Sequence, residues 1–432
     1  MNALRAAFLV LLLACGGVAQ AQVRIQHWTL ATGARVYYVE SRAIPVLDVA
    51  VEFPAGSAWD AGRSAGVARM TLQMLRAGSA RFSEDESNQR LADIGAELRD
   101  NFDRDRAGFS VRTLSSERAR AVAVLADMLQ APRFPAEALE RERARAVADV
   151  KEAETQPEGA AERRLYALMY AGHPYGIVPT ADSLAAIKLE DVERFYRERY
   201  RASRAVVTIV GDVDRDAAGA LAEALTARLP AGPDDGPRLE PAKPPAHGQL
   251  ERIPRPSAQS HVLAGMPGLA RDDPDYFPLF VGNFVLGGGG FVSRLYNEVR
   301  EKRGYAYSAY SYFLPLAARG PFLMGLQTRN DQADEALKQA RAVLDDFIKN
   351  GPTPKELAAA QRSLVGSFPL RLDSNRKILD QVAMIGYYRL PLDWLDKFIP
   401  SIKAVTLESV RSAFSRRVRP EELTTVVAGA AQ

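Results

Sequence analysis

The feature that most limits what this 432-residue chain can fold into is a pattern written twice. Ala186-Ile187-Lys188-Leu189-Glu190-Asp191-Val192 precedes a helical stretch and then Val206-Val207-Thr208-Ile209-Val210-Gly211. Ala404-Val405-Thr406-Leu407-Glu408-Ser409-Val410 precedes another and then Thr424-Thr425-Val426-Val427-Ala428-Gly429. Both matches lie 218 residues apart (186 to 404, 206 to 424), and Pro135-Ala136-Glu137-Ala138 answers Pro354-Lys355-Glu356-Leu357 at 219. Similarity at a fixed offset marks an internal duplication. Between the copies, residues 230–248 carry six prolines and three glycines with no apolar periodicity, the composition of an extended, semi-rigid linker. A chain of this length exceeds one ordinary core. The expected organisation is therefore a leader 1–22, a half 23–229, the linker 230–248 and a half 249–432.

Within each half, strand-like alternation comes first, as at residues 34–39 and 46–51. Long helical patterns follow at 116–130, 135–155 and 333–350 before a closing strand. This grouping predicts an α+β fold, a mixed sheet with helices on one face. Apolar content of 47% with 25% charged residues belongs to a folded soluble protein. The net charge of +3 is small and its signs are interspersed, which gives no footprint for nucleic acid.

Residues 1–22 read as an export signal: Arg5 in a short basic region, an apolar run at 6–14, and Ala19-Gln20-Ala21 as a small-x-small cleavage site. The run is too short to span a bilayer as a permanent helix. The expected location is the periplasm. The single cysteine, Cys15, lies inside the signal, so cleavage after Ala21 leaves neither disulfide nor thiol chemistry. Leu12-Leu13-Ala14-Cys15-Gly16 also resembles a lipoprotein processing site, with Leu13 unusual at its position. A lipid anchor through Cys15 therefore stands second to a soluble periplasmic protein.

The segment Gly66-Val67-Ala68-Arg69-Met70-Thr71-Leu72-Gln73-Met74-Leu75-Arg76-Ala77-Gly78 is apolar at helical spacing. It resembles the signature helix of the insulinase/pitrilysin zinc peptidases, the group that includes the mitochondrial processing peptidase. In that family two histidines four apart reach one zinc from one helix face, and a glutamate just before the second activates the bound water. Here those positions hold Arg69, Gln73 and Leu72. A guanidinium has no lone pair to offer, an amide is a poor ligand, and leucine accepts no proton. The family's third ligand, a glutamate on a later helix, falls by resemblance on Asp149, with Glu142 two turns earlier. One carboxylate alone is a weak and unselective metal site. The resemblance thus implies no metal in this chain. Arg69 reads either as solvated surface or as a charge standing where the cation would stand and paired with Asp149.

The second half carries Arg300-Glu301-Lys302-Arg303-Gly304-Tyr305-Ala306-Tyr307-Ser308, which resembles the family's C-terminal signature. There an arginine and a tyrosine seven residues later reach the substrate beside the zinc, and Arg300 and Tyr307 match that pair. A guanidinium can grip a substrate carbonyl and a phenol can donate to an oxyanion; the bland alternative is a surface Arg and a packed strand Tyr. His173-Pro174-Tyr175-Gly176 is also common in the family. The resemblance covers essentially the whole mature chain and implies two homologous α/β rolls facing each other as a clam shell.

Other chemistries find little support. Leu286-Gly287-Gly288-Gly289-Gly290 lacks the Gly-Lys-Ser/Thr of a phosphate loop and reads instead as a turn needing close backbone approach, so no nucleotide is expected. The histidines His27, His173, His247 and His261 share no helical spacing, and no Gly-x-Ser-x-Gly elbow occurs. The expectation is a zinc-less subunit of a heteromeric metallopeptidase. A homologous partner would carry the zinc, and Arg300 and Tyr307 would contact peptide or unfolded-protein substrate. A non-catalytic peptide-binding or assembly protein is the alternative, and a self-sufficient zinc peptidase the third.

Overall fold

The computed structural model describes residues 23–60, 62–233 and 238–430. The leader with Cys15 lies outside them. The first half forms a six-stranded sheet in the order β1-β2-β6-β3-β5-β4, from β1 (Gln26–Thr29), β2 (Arg35–Glu40), β3 (Val46–Phe53), β4 (Glu97–Phe102), β5 (Ala107–Leu114) and β6 (Val206–Gly211). The second half forms a five-stranded sheet in the order β7-β11-β8-β10-β9, from β7 (Leu250–Pro254), β8 (Gln259–Pro267), β9 (Ser308–Phe313), β10 (Pro321–Arg329) and β11 (Thr424–Gly429). Each sheet has one parallel pair, β2 with β6 and β7 with β11, and is otherwise antiparallel.

The principal helices are α1 (Val67–Arg76), α2 (Arg118–Gln130), α3 (Ala136–Thr155), α4 (Pro157–Met169), α5 (Leu189–Arg199) and α6 (Arg215–Thr226), then α7 (Tyr276–Asn283), α8 (Ala333–Asn350), α9 (Asn375–Tyr387) and α10 (Leu407–Arg417). Helix α5 and strand β6 repeat as α10 and β11 with both boundaries displaced by 218 residues (189 to 407, 206 to 424). The two rolls have the clam-shell architecture expected. Among the described residues no helix is long and apolar enough to cross a membrane.

Helices of each half cover one face of its own sheet, burying Tyr38, Val49, Val51, Phe53 and Phe109 in the first half and Val262, Ala264, Phe322 and Met324 in the second. The second face of each sheet is not left bare. Because strand side chains alternate, Tyr37, Val39, Ala50, Val206 and Val210 point the other way and pack on Leu379 and Val382 of α9, a helix of the opposite half. Reciprocally, Leu165, Tyr166 and Met169 of α4 pack on Leu263, Leu323, Val426 and Ala428. The helices-on-one-face expectation omitted this exchange. Burial on both faces explains why residues 36–39 of β2 and the Val/Ile-rich β6 lack the polar alternation of a half-exposed strand.

The described residues of the proline-rich segment are tied down at several points. Gly232 accepts from Ser203 Oγ (2.7 Å), the Glu240 carbonyl meets His173 Nε2 (2.9 Å), Ala242 is buried, and Gly248 N–H donates to the Glu421 carbonyl (2.7 Å). The glycine run departs from a simple turn: residues 284–288 widen the end of α7 into a π-type turn, and Gly290 adopts φ +59°. Close approach is real, since a Cβ on Gly287 would lie 2.4 Å from Ser311 N on β9.

Candidate functional site

Helix α1 is set by its amino end. Gly66 turns the chain with φ +102°, and the Asp60 carboxylate accepts from the amides of Gly66 (2.7 Å) and Ala68 (2.8 Å). Burial pushes the Asp60 carboxyl up to about 6, against the lowering by those amides. Val67, Met70, Leu72, Met74 and Leu75 fill the first core. Leu72, at the general-base position, is fully buried. Arg69, Gln73 and Arg76 fall on one stripe of the helix, and two of the three reach β4: Arg76 pairs with Asp100 (3.1 Å), and the Arg69 guanidinium lies over the Phe102 ring, 5.1 Å from its centroid. Gln73 Oε1 is buried without a hydrogen-bond partner among the described residues.

Of the two readings of Arg69, the ion pair with Asp149 does not form. Asp149 is exposed on α3, and the Arg69 guanidinium rests on the aromatic ring at the end of β4. Glu142 is engaged by Arg141 at 3.2 Å. A structural or catalytic zinc needs three or four His, Cys or carboxylate ligands converging at about 2.0–2.3 Å. Arg69, Leu72, Gln73 and the single carboxylate of Asp149 do not fit that requirement, and no cluster of three His, Cys, Asp or Glu side chains suited to a metal occurs among the described residues.

Beside α1 lies a cavity of 640 Å³ shared by both halves, bounded by α1, the end of β4, α4, and Arg271, Leu314–Leu316 and Tyr388 of the second half. Five arginines and three acids line it. Arg106 pairs with Glu52 (2.8 Å) and Asp103 (2.9 Å), Arg163 with Glu154 (3.3 Å), and Arg271 donates to the Pro315 carbonyl (2.9 Å). Arg104 instead stacks on the Tyr166 ring, 3.6 Å from its centroid. A second, more apolar cavity of 580 Å³ between α7, the glycine run and β9 shares Arg271, Leu314 and Pro315 with the first.

Behind the first cavity, Asp105 locks the halves together. Its carboxylate accepts from the Tyr175 hydroxyl, from Ala317 N–H (2.7 Å) and from the Tyr388 hydroxyl (2.8 Å), while its carbonyl accepts from the Tyr387 hydroxyl (2.8 Å). Burial raises the Asp105 carboxyl above its usual range although these donors pull it down. His173 orients this corner by accepting from Tyr175 N–H through Nδ1 (3.1 Å). The His173-Pro174-Tyr175-Gly176 run thus serves the contact between halves. Sequence reasoning missed Arg104, Asp105, Tyr387 and Tyr388, because a charged hairpin turn and a Tyr-Tyr pair carry no local sign of meeting.

Arg300 and Tyr307 lie in the second half, just before β9. Tyr307 is 58% exposed, its amide fixed by the Gln327 carbonyl (2.8 Å). Arg300 is half-exposed, its guanidinium 4.7 Å from the Tyr296 ring centroid and 3.9 Å from Glu301. Neither lines the α1 cavity. That cavity touches the chain just beyond β9, at residues 314–316, roughly 20 Å along the chain from Tyr307.

The chain resembles proteins of known fold along nearly its whole length. The family described as insulinase (peptidase family M16) matches residues 35–180, and the one described as peptidase M16 inactive domain matches residues 186–364. A crystal structure of a peptidase M16 inactive domain from Pseudomonas fluorescens superposes with a TM-score of 0.91 at 36% identity, covering 94% of this chain and 98% of that one. A protein named an uncharacterized zinc protease, from Streptomyces coelicolor, is 28% identical over 90% of this chain and 86% of its own length. The non-peptidase homolog YmxG of Helicobacter pylori is 25% identical over 90% of each. A duplicated roll, a helix of the zinc-signature type without zinc ligands, and near-complete coverage by M16 relatives lead to one assignment: the chain belongs to the insulinase, or M16, peptidase family.

Proposed function

We propose that this protein is the zinc-less subunit of a heteromeric periplasmic metallopeptidase, exported by its leader and acting with a homologous zinc-bearing partner on peptides or unfolded segments. The observation that supports the reading is the exposure of Arg300 and Tyr307. Both side chains reach solvent and neither lines the cavity beside α1, which leaves them accessible to a second subunit. There the guanidinium would grip a substrate carbonyl and the phenol would donate to the oxyanion formed at the partner's metal. No step of the chemistry is assigned to metal in this chain. The test is capture of the tagged mature chain from its native periplasm, with zinc and peptide hydrolysis measured on the chain alone and on what co-purifies. Zinc and hydrolysis appearing only with a partner that bears the intact motif supports the reading; a chain that never finds such a partner counts against it.

A second reading, a non-catalytic peptide-binding protein, is favoured by the 640 Å³ cavity that the chain keeps beside its ligand-less helix. The two readings share peptide handling and differ in whether hydrolysis follows.

A further inference from the structure

We propose that the cavity beside α1 recognises a carboxylate of a bound peptide through Arg69 and Arg104, with the neighbouring apolar cavity taking one of that peptide's hydrophobic side chains. The inference rests on the peptide-handling reading above and names the class of peptide.

Of the five cavity arginines, Arg106, Arg163 and Arg271 are engaged by carboxylates or a carbonyl. Arg69 and Arg104 differ. Among the described residues no carboxylate lies within 4.0 Å of either guanidinium. Each rests on an aromatic ring that also lines the cavity, Phe102 under Arg69 and Tyr166 under Arg104. Stacking restrains a guanidinium while leaving the N–H groups at its planar edge free, the geometry that suits a carboxylate. The acids of the cavity do not answer them: Asp60 is held by two amides and Asp103 by Arg106, which leaves Glu162, exposed on α4, against two open guanidinium groups. Positive charge therefore stands beside the helix where the family's zinc would stand, and the ligand it favours is an anion. The adjoining apolar cavity, walled by Leu279, Phe280 and Phe313, shares Arg271, Leu314 and Pro315 with the first, so one extended peptide can occupy both.

The carboxylate can come from an acidic side chain or from the peptide's C-terminus. Three octapeptides of alanine and leucine, each carrying an uncharged BODIPY dye at its amino end, separate the sources: one with two glutamates and an amidated end, one with glutamines and a free carboxylate, and one with glutamines and an amidated end. Binding to the mature chain is read by anisotropy. At least one carboxylate peptide is expected to bind about tenfold more tightly than the neutral one. That preference should vanish in the Arg69→Gln/Arg104→Gln variant and shrink for the unaltered chain as salt rises from 0.05 to 0.5 M, about the range over which screening sets in. The salt series keeps the test open should the double variant misfold. Equal binding of all three peptides, binding of none, or a preference indifferent to both salt and the variant overturns the proposal. Equal binding leaves the heteromeric-subunit reading standing, because that reading is tested by partner-dependent hydrolysis.

Discussion

At Tyr307 the backbone is fixed by Gln327 while the phenol projects into solvent, and Arg300 makes only weak contacts to Tyr296 and Glu301. Side chains with so little to hold contribute little to folding. Arg300→Ala and Tyr307→Phe should each shift unfolding free energy by no more than about 0.5 kcal/mol in urea titrations. In the complex with a zinc-bearing partner the same changes should lower kcat by roughly a hundredfold, the scale of losing one oxyanion donor. Asp60 makes a prediction of the opposite kind. Its folded carboxyl is raised to about 6, above the unfolded value near 3.9, so the folded state holds the proton more tightly. Stability contributed by Asp60 therefore rises as pH falls from 7 toward 4, by up to about 3 kcal/mol, relative to Asp60→Asn. Thermal melts of both proteins across that range check it, and a constant difference would show that Asp60 does not titrate there. The degenerate positions of α1 were legible because a helical frame with the wrong side chains is a local fact. The burial of Asp105 was not, since Asp103-Arg104-Asp105-Arg106 between two strands reads as a solvated turn. Its partners Tyr175, Ala317 and Tyr388 come from distant chain.

At the scale of elements, the repeat of α5–β6 as α10–β11 was readable because caps and apolar runs are themselves local. Thr406 accepts from Ser409 N–H (3.1 Å) at the start of α10, and Lys188 N–H donates to Asp191 (3.0 Å) at the same place in α5. The exchange of α4 and α9 between halves was not readable. An amphipathic stripe says that a face is buried and leaves open which surface buries it. Gly386 reports on that contact: a Cβ there would lie 2.7 Å from the Tyr37 ring, across the boundary between halves. Gly386→Ala should destabilise the chain by about 1–2 kcal/mol, overpacking outweighing the helix propensity gained. Met169→Ala, on the reciprocal helix, should cost about 2–4 kcal/mol through the cavity it opens. Urea titration measures both, and a neutral Met169→Ala would mean that α4 is not seated on the second sheet.

The whole molecule is two rolls made into one body by exchanged helices and by Asp105. Asp105→Ala strands two phenols and an amide, and should lower stability by about 3–5 kcal/mol. It should also split unfolding, followed by tyrosine fluorescence and circular dichroism, into separate steps for the halves. In that body the side chains of Arg300 and Tyr307 remain exposed to solvent. The most direct test is peptide hydrolysis by the purified chain, by its zinc-bearing partner and by the two mixed, with the mixture repeated using Arg300→Ala/Tyr307→Phe. Turnover is expected only in the mixture, with zinc held by the partner and most of the rate lost in the double variant. Hydrolysis by this chain alone with bound zinc, or a mixture indifferent to the double substitution, would contradict it.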